Sequence, residues 1–300
     1  MVVEESISFV VQGPIGLHGE NSTQNVLKSI RKYFPKSEII LSTWVGEAVA
    51  GLEFDILVQS DLPDALIIFT GKQLNINRLL VSTKKGIEAS TKQFVAKTRT
   101  DVLFTDSSIL KKFDLNNKST VFKNFVYTIE LFTRDAYLSS THSFYDGFLH
   151  HPSDIFLFGT KHDLLELFSC KLAKIEVIFN RRGKSSLTPE QYIWMSLLKK
   201  NKKIRTFRKS LASTNLKCCY YSEKLLFENY KIFKPENLGL KLATHLKNGW
   251  LPNTVVTEEL QNKINSKSDF QKRIFYFQRA FFYCWIRNFF FKKVLKIKYQ

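Results

Sequence analysis

Three hundred residues of 44% apolar composition can bury one large core, or a core with a smaller C-terminal lobe, without disulfide or metal staples. The four cysteines, Cys170, Cys218, Cys219 and Cys284, make no CxxC pair and read as reduced thiols, not zinc ligands. The net charge of +18 is lopsided: residues 1–190 hold 22 Lys and Arg against 21 Asp and Glu, whereas residues 191–300 hold 23 against 6, so the basic character belongs to the last third and not to the chain as a whole.

The chain opens with Glu4 and Glu5 where a secretory signal would carry Lys or Arg, which predicts a protein that stays in the cytoplasm. Ile7 to Val11 reads as a buried first strand that stops at Gln12-Gly13-Pro14. A helix should follow, with Asn21 and Ser22 as N-cap candidates, Val26, Leu27, Ile30 and Phe34 at helical spacing, and Pro35 closing it. Ile39 to Leu41 is predicted as a second strand, Asp55 to Val58 as a third, Ile76 to Ile87 as a helix, and the stretch from Phe94 to Phe104 as a fourth strand. Strands alternating with helices at this pace imply an α/β protein with a doubly wound, mostly parallel sheet flanked by helices.

Beyond it, Val121 to Phe132 fits strand or helix, Ile155 to Phe158 a strand, and His162 to Phe168 a helix. Thr188, Pro189 and Gln191 form a good helix start, with a capping box, for a helix running toward Lys199. The basic block from Lys199 to Lys209 marks a lobe boundary, after which helices are favoured. After Asp269 there is no acidic residue, and eight basic ones are interleaved with Phe281, Phe282, Trp285, Phe289 and Phe290. No apolar run there approaches the roughly 20 residues needed to cross a bilayer. The tail suits an anionic membrane surface; a core helix with its aromatics turned inward, or a nucleic-acid surface, are the alternatives.

In an open α/β sheet ligands bind beyond the carboxyl ends of the strands. Three strand ends fit: Gln12, Gly13 and Pro14; Ser42, Thr43 and Trp44; and Lys97 to Asp101. Lys97, Arg99 and Asp101 alternate and so share one strand face. Three charges there need partners, and a diphosphate with Mg2+ or Mn2+ on Asp101 would supply them, as would an exposed edge with a charge ladder. Arg78, beside Asn77, fits either a phosphate ligand or a solvated helix position. Asp154 precedes a strand and is a candidate general base. Glu190, in the first turn of a helix, is a second candidate, although an acidic residue there also complements the helix dipole. His151 is a candidate acceptor contact.

These pieces together resemble the WavE family of lipopolysaccharide-synthesis proteins: Val11-Gln12-Gly13-Pro14-Ile15, Ser29 to Pro35 leading into Glu38 to Trp44, Asn77-Arg78, Ser82-Thr83, Gly86, and Lys97 to Asp101. The resemblance is good over residues 7–105, looser through His151 to Gly159, and lost in the basic third. It implies a GT-A-like (Rossmann-like) glycosyltransferase domain over residues 1–198, which adds Ser82 to the nucleotide-sugar contacts. Residues 199–300 would be a basic, mainly helical region for acceptor or membrane-surface contact. The implied reaction moves a sugar from a nucleotide-sugar donor to a lipopolysaccharide, O-antigen or capsule acceptor. The enzyme would lie peripherally on the inner face of a bacterial inner membrane, and no nucleic-acid partner is expected. Enzymes of that fold hold a divalent cation on an Asp-x-Asp element; Arg99-Thr100-Asp101 has one carboxylate, which leaves Arg99 as a source of positive charge instead. A non-enzymatic nucleic-acid binder, and a transferase of a sugar phosphate or of a sugar from a cytidine nucleotide, are the competing functions.

Overall fold

The computed structural model describes residues 2–17, 19–67, 73–114, 118–130, 151–178, 187–203, 216–247 and 258–289, with the backbone alone for 247 and 282–289. In chain order the elements are β1 (Ile7–Gln12), α1 (Thr23–Tyr33), β2 (Glu38–Trp44), β3 (Ile56–Ser60), β4 (Leu66–Ile67), β5 (Gln73–Leu74), α2 (Ile76–Ala89), β6 (Phe94–Arg99), β7 (Val102–Phe104), α3 (Ile109–Lys112) and β8 (Val126–Ile129). They continue with β9 (Leu157–Thr160), α4 (Lys161–Leu167), α5 (Ile175–Ile178), α6 (Pro189–Lys200), α7 (Leu216–Phe227), β10 (Tyr230–Phe233), β11 (Leu240–Leu242), α8 (Thr244–Lys247), α9 (Glu258–Asn265) and α10 (Asp269–Phe289).

Seven strands form one sheet in the order β10-β8-β9-β6-β1-β2-β3. The pairs among β6, β1, β2 and β3 are parallel, as is β8 with β10; β9 alone runs against its two neighbours. This is the mostly parallel, helix-flanked α/β sheet that the alternation of elements predicts. Every residue of β1 and of β2 is buried, as expected of strands covered on both faces. One face packs on α2, α4 and α6 through Val10, Ile40, Leu80, Val95 and Leu164, and the other on α1 through Phe9, Val11, Leu27, Ile30 and Phe158.

Local signals explain most boundaries. The Ser22 hydroxyl accepts the Asn25 amide to cap α1, while Asn21 turns instead to the carbonyl of Asp101, 3.1 Å away. Thr188 and Gln191 close the expected capping box, each amide meeting the other side chain at 3.2 Å. The second strand runs three residues further than the apolar triplet indicates, because the small Ser42 and Thr43 are wholly buried and carry on the ladder to Trp44. The predicted fourth strand is two: it breaks at Thr100-Asp101, and the outgoing piece, β7, pairs with β11. Val121 to Phe132 contributes a strand, β8, although residues 131–132 lie outside the described residues, as do 204–209 of the basic block.

The basic third is not helical throughout. Its strand β10 forms one edge of the main sheet, and β11 pairs with β7. Alternating apolar residues give these strands away only once their partners are known, since Tyr230 and Ile232 bury their side chains against β8 and α6.

Helix and sheet approach closely at Gly86 of α2, where an added Cβ would lie 2.5 Å from Val10 Cγ1 and 3.1 Å from Ser42 Cβ. Gly86→Ala should therefore lower stability by about 1–3 kcal/mol through overpacking, read as a fall in the urea midpoint with an unchanged slope.

Candidate functional site

The carboxyl ends of β1, β2 and β6 share one edge of the sheet, and β9, running the other way, begins there. Asp154, three residues before β9, and Glu190, at the start of α6, come to the same place. On β6 the alternation sends Phe94, Ala96 and Thr98 to the α1 face and Val95, Lys97 and Arg99 to the α2 and α6 face. Of the three charges expected on one strand face, Lys97 and Arg99 share it, whereas Asp101 falls in the turn after the strand ends.

Lys97 is fully buried. Its ammonium donates to the Asp154 carbonyl, and the adjoining turn is held by Thr128, whose hydroxyl donates to Ser153 O at 2.9 Å and Phe156 O at 3.1 Å. Burial lowers the Lys97 pKa to about 8, against the attraction of Asp154. It is therefore no direct phosphate ligand in this arrangement; it fixes the turn that presents Asp154.

Asp154 and Glu190 adjoin, close enough for one proton to bridge them, and His151 Nε2 lies 3.3 Å from Glu190 Oε2. Burial, with the Glu190 charge adding to it, pushes the Asp154 carboxyl up to about 6. Burial would raise Glu190 too, but the charge of the neighbouring His151, a backbone amide and Asp154 hold it well below the usual range. The two carboxyls behave as one pair sharing a proton.

Arg99 and Asp101 pair with each other: Nε meets Oδ1 at 2.8 Å and Nη2 meets Oδ2 at 2.7 Å. Burial opposes the charge on Arg99, and Asp101 more than restores it. Asp101 also receives His245 Nε2 at 3.0 Å; burial would raise its carboxyl, but Arg99 and His245 keep it below its ordinary value. His245 carries no signal in the sequence. It arrives because Leu242 of β11 pairs with Val102 of β7, which sets α8 over the end of β6. With both oxygens of Asp101 engaged, and no group of three or more His, Cys, Asp or Glu among the described residues able to hold a metal ion, this donor set does not fit a divalent cation as it stands.

The remaining residues singled out in the sequence make contacts within the protein. Gln12 is buried and accepts from Ser82 Oγ at 2.7 Å, and Ser42 Oγ donates to the Ser82 carbonyl at 2.7 Å, so Ser82 locks α2 onto β1 and β2. Gly13 takes φ +127°, where a Cβ would come within 3.2 Å of Thr100 Oγ1, and that hydroxyl donates to Pro14 O at 2.7 Å. Thr43 donates to Glu47 at 3.2 Å, and the same Glu47 oxygen accepts the Ile15 amide; Glu47 went unnoticed in the sequence, where nothing marks it. Trp44 is buried. Arg78 reaches Pro63 O at 3.1 Å and Asn75 Oδ1 at 3.4 Å. Asn77 is committed to the backbone of Ala173, giving at 3.1 Å and accepting at 2.7 Å.

Asn77→Ala would strand both polar groups of Ala173, so it should cost about 1–3 kcal/mol in urea unfolding. Nucleotide affinity, measured on the same sample, should not change.

Residues 7–298 match the profile of the WavE lipopolysaccharide synthesis family, so the match runs on through the basic third, where the resemblance read from the sequence was expected to end. No curated protein matches the chain. Among solved structures, a mutant Drosophila beta-1,4-galactosyltransferase 7 in complex with manganese, UDP-Gal and xylobiose aligns at 10% identity with a TM-score of 0.27, over 54% of this chain. The alignment spans about half of that protein, 51%, a likeness too slight to bear on activity.

Proposed function

Because the chain belongs to the WavE lipopolysaccharide synthesis family, we propose that it transfers a sugar from a nucleotide-sugar donor to a lipopolysaccharide, O-antigen or capsule acceptor at the cytoplasmic face of the membrane. The observation that carries this reading is the meeting of Arg99, Asp101, Asp154 and Glu190 at the carboxyl edge of the parallel strands, where such sheets bind ligands. The site joins a basic group for the leaving diphosphate to a carboxyl pair for the acceptor.

In this reading the Asp154–Glu190 pair takes the proton from the acceptor hydroxyl as its oxygen bonds to the sugar carbon. The sugar–phosphate bond breaks, and its electron pair leaves with the nucleoside diphosphate toward Arg99. Asp154, with a pKa near working pH, is the better matched base, and Glu190 receives charge through the shared hydrogen bond. Lys97 keeps the pair ionisable inside the protein.

The base must be ionised, so kcat/KM should fall as pH drops below about 6, where Asp154 gains its proton. It should fall again above about 8, where Lys97 loses its proton and the pair loses its counter-charge. Lys97→Met should move the acid limb upward, and Asp154→Asn should reduce kcat by about 100-fold or more. Release of nucleoside diphosphate from a donor panel, with crude lipopolysaccharide as acceptor, measures all three; no release from any donor would sink the assignment.

The placement at the membrane is supported by α10. Tyr276 and Ala280 are buried, and Arg279 pairs with Glu223 of α7 at 2.8 Å. Phe270, Ile274, Phe277 and Phe281, spaced four, three and four apart, are 73%, 41%, 51% and 54% exposed. Thus the helix buries Tyr276 and Ala280 and leaves an apolar stripe outward. A groove of about 620 Å³ beside the stripe is lined by Leu216, Tyr220, Ile274 and Phe277, with Lys217 and Arg273. No helix among the described residues is long and apolar enough to cross a membrane. The side chains of Phe282, Trp285 and Phe289, and Phe290 itself, lie outside the described residues.

Co-sedimentation should therefore be stronger with vesicles containing phosphatidylglycerol than with phosphatidylcholine alone. The double change Phe277→Ser with Phe281→Ser should weaken it roughly tenfold or more.

A further inference from the structure

We propose that Arg99 and His245, preset by Asp101, grip the diphosphate of the donor directly and do the work for which related sheet-edge sites use a divalent cation. The inference rests on the nucleotide-donor reading above and concerns how that donor is held.

Three observations meet here. Side-on pairing with Asp101 occupies only Nε and Nη2 of Arg99; a guanidinium carries five N–H donors, so three remain, and Nη1 has no partner among the described residues. The side chains of Arg99 and His245 are 37% and 59% exposed, while that of Asp101 is 19% exposed. The basic groups therefore face outward and the carboxylate lies behind them. Finally, a cation on Asp101 would have to displace two hydrogen bonds from Arg99 and one contact from His245.

The arrangement is built to orient donors. A carboxylate in side-on contact fixes the plane of the guanidinium, and a fixed plane suits two adjacent phosphate oxygens. His245 meets Asp101 with Nε2; as an imidazolium it has a second N–H, on Nδ1, to give to a phosphate. The fold supplies the two arms from distant parts of the chain: β6 ends in Arg99, with Asp101 in the turn after it, while the β7–β11 pairing delivers α8. Asn21 braces the junction, donating to Asp101 O at 3.1 Å and Lys241 O at 3.4 Å.

Binding of UDP, GDP and inorganic pyrophosphate to the full-length protein, by titration calorimetry in EDTA and in Mn2+, tests the clamp. At least one probe should bind in EDTA within about threefold of its affinity in Mn2+. Arg99→Gln and His245→Gln should each weaken binding in EDTA roughly tenfold or more, and His245→Arg should restore most of the loss. Asp101→Asn should cost less than Arg99→Gln, since it loosens the arginine but leaves both basic arms.

His245 is a surface residue, and unchanged melting of its variants in the absence of nucleotide would separate a binding defect from a folding one. Binding that appears only with Mn2+, is lost in Asp101→Asn and is indifferent to His245→Gln overturns the clamp and leaves the donor reading standing. Failure of all probes in both buffers overturns the two together.

Discussion

The ammonium of Lys97 has no exposed surface, and a buried ion without partners would cost several kcal/mol. Its neighbours are arranged to offset that cost: the Asp154 carbonyl accepts from it, and the carboxyls of Asp154 and Glu190 stand close enough to raise its affinity for the proton. Because the lysine is held by a carbonyl in the turn before β9, that turn cannot drift, and Thr128 clasps it from the neighbouring strand. Burial raises both carboxyls, and His151 beside Glu190 is what sets the two apart in acidity. Thus the buried lysine fixes the turn that presents Asp154, and His151 decides which carboxyl of the pair is the stronger acid.

Two charged groups at the edge solve the same problem differently. Arg99 and Asp101 neutralise each other across two residues of one strand end, and they stay partly open to solvent. The distinction between an inner set that tunes protonation and an outer set that meets anions follows from depth along β6. Lys97 lies inside the ladder, opposite Val10 and Leu157, whereas Asp101 lies beyond its end. Along the rest of the edge, Ser82, Glu47 and Thr100 tie the strand-end loops to each other and to α2.

The basic third is tied into this scaffold through β10, β11 and the packing of α10 on α7. The described part of α10 is thereby joined, through α7 and β10, to the sheet that carries the site.

Sequence alone determined the elements whose signals are local. The buried runs of β1 and β2, the apolar face of α1, the capping box at Thr188 and the alternation of Lys97, Arg99 and Asp101 all depend on neighbours within a turn or a strand, so they are legible in one dimension. The tertiary structure decided what those residues do. Asn77 and Arg78 sit in the right segment yet bind the backbone of Ala173 and Pro63; Lys97 turns inward, not toward a ligand; Glu47 and His245 join the edge without any motif to mark them. These outcomes are set by contacts between residues up to 144 positions apart, as Asp101 is from His245. Spacing and periodicity carry no information about which distant side chain will satisfy a buried charge, because that choice is made only when the strands pair.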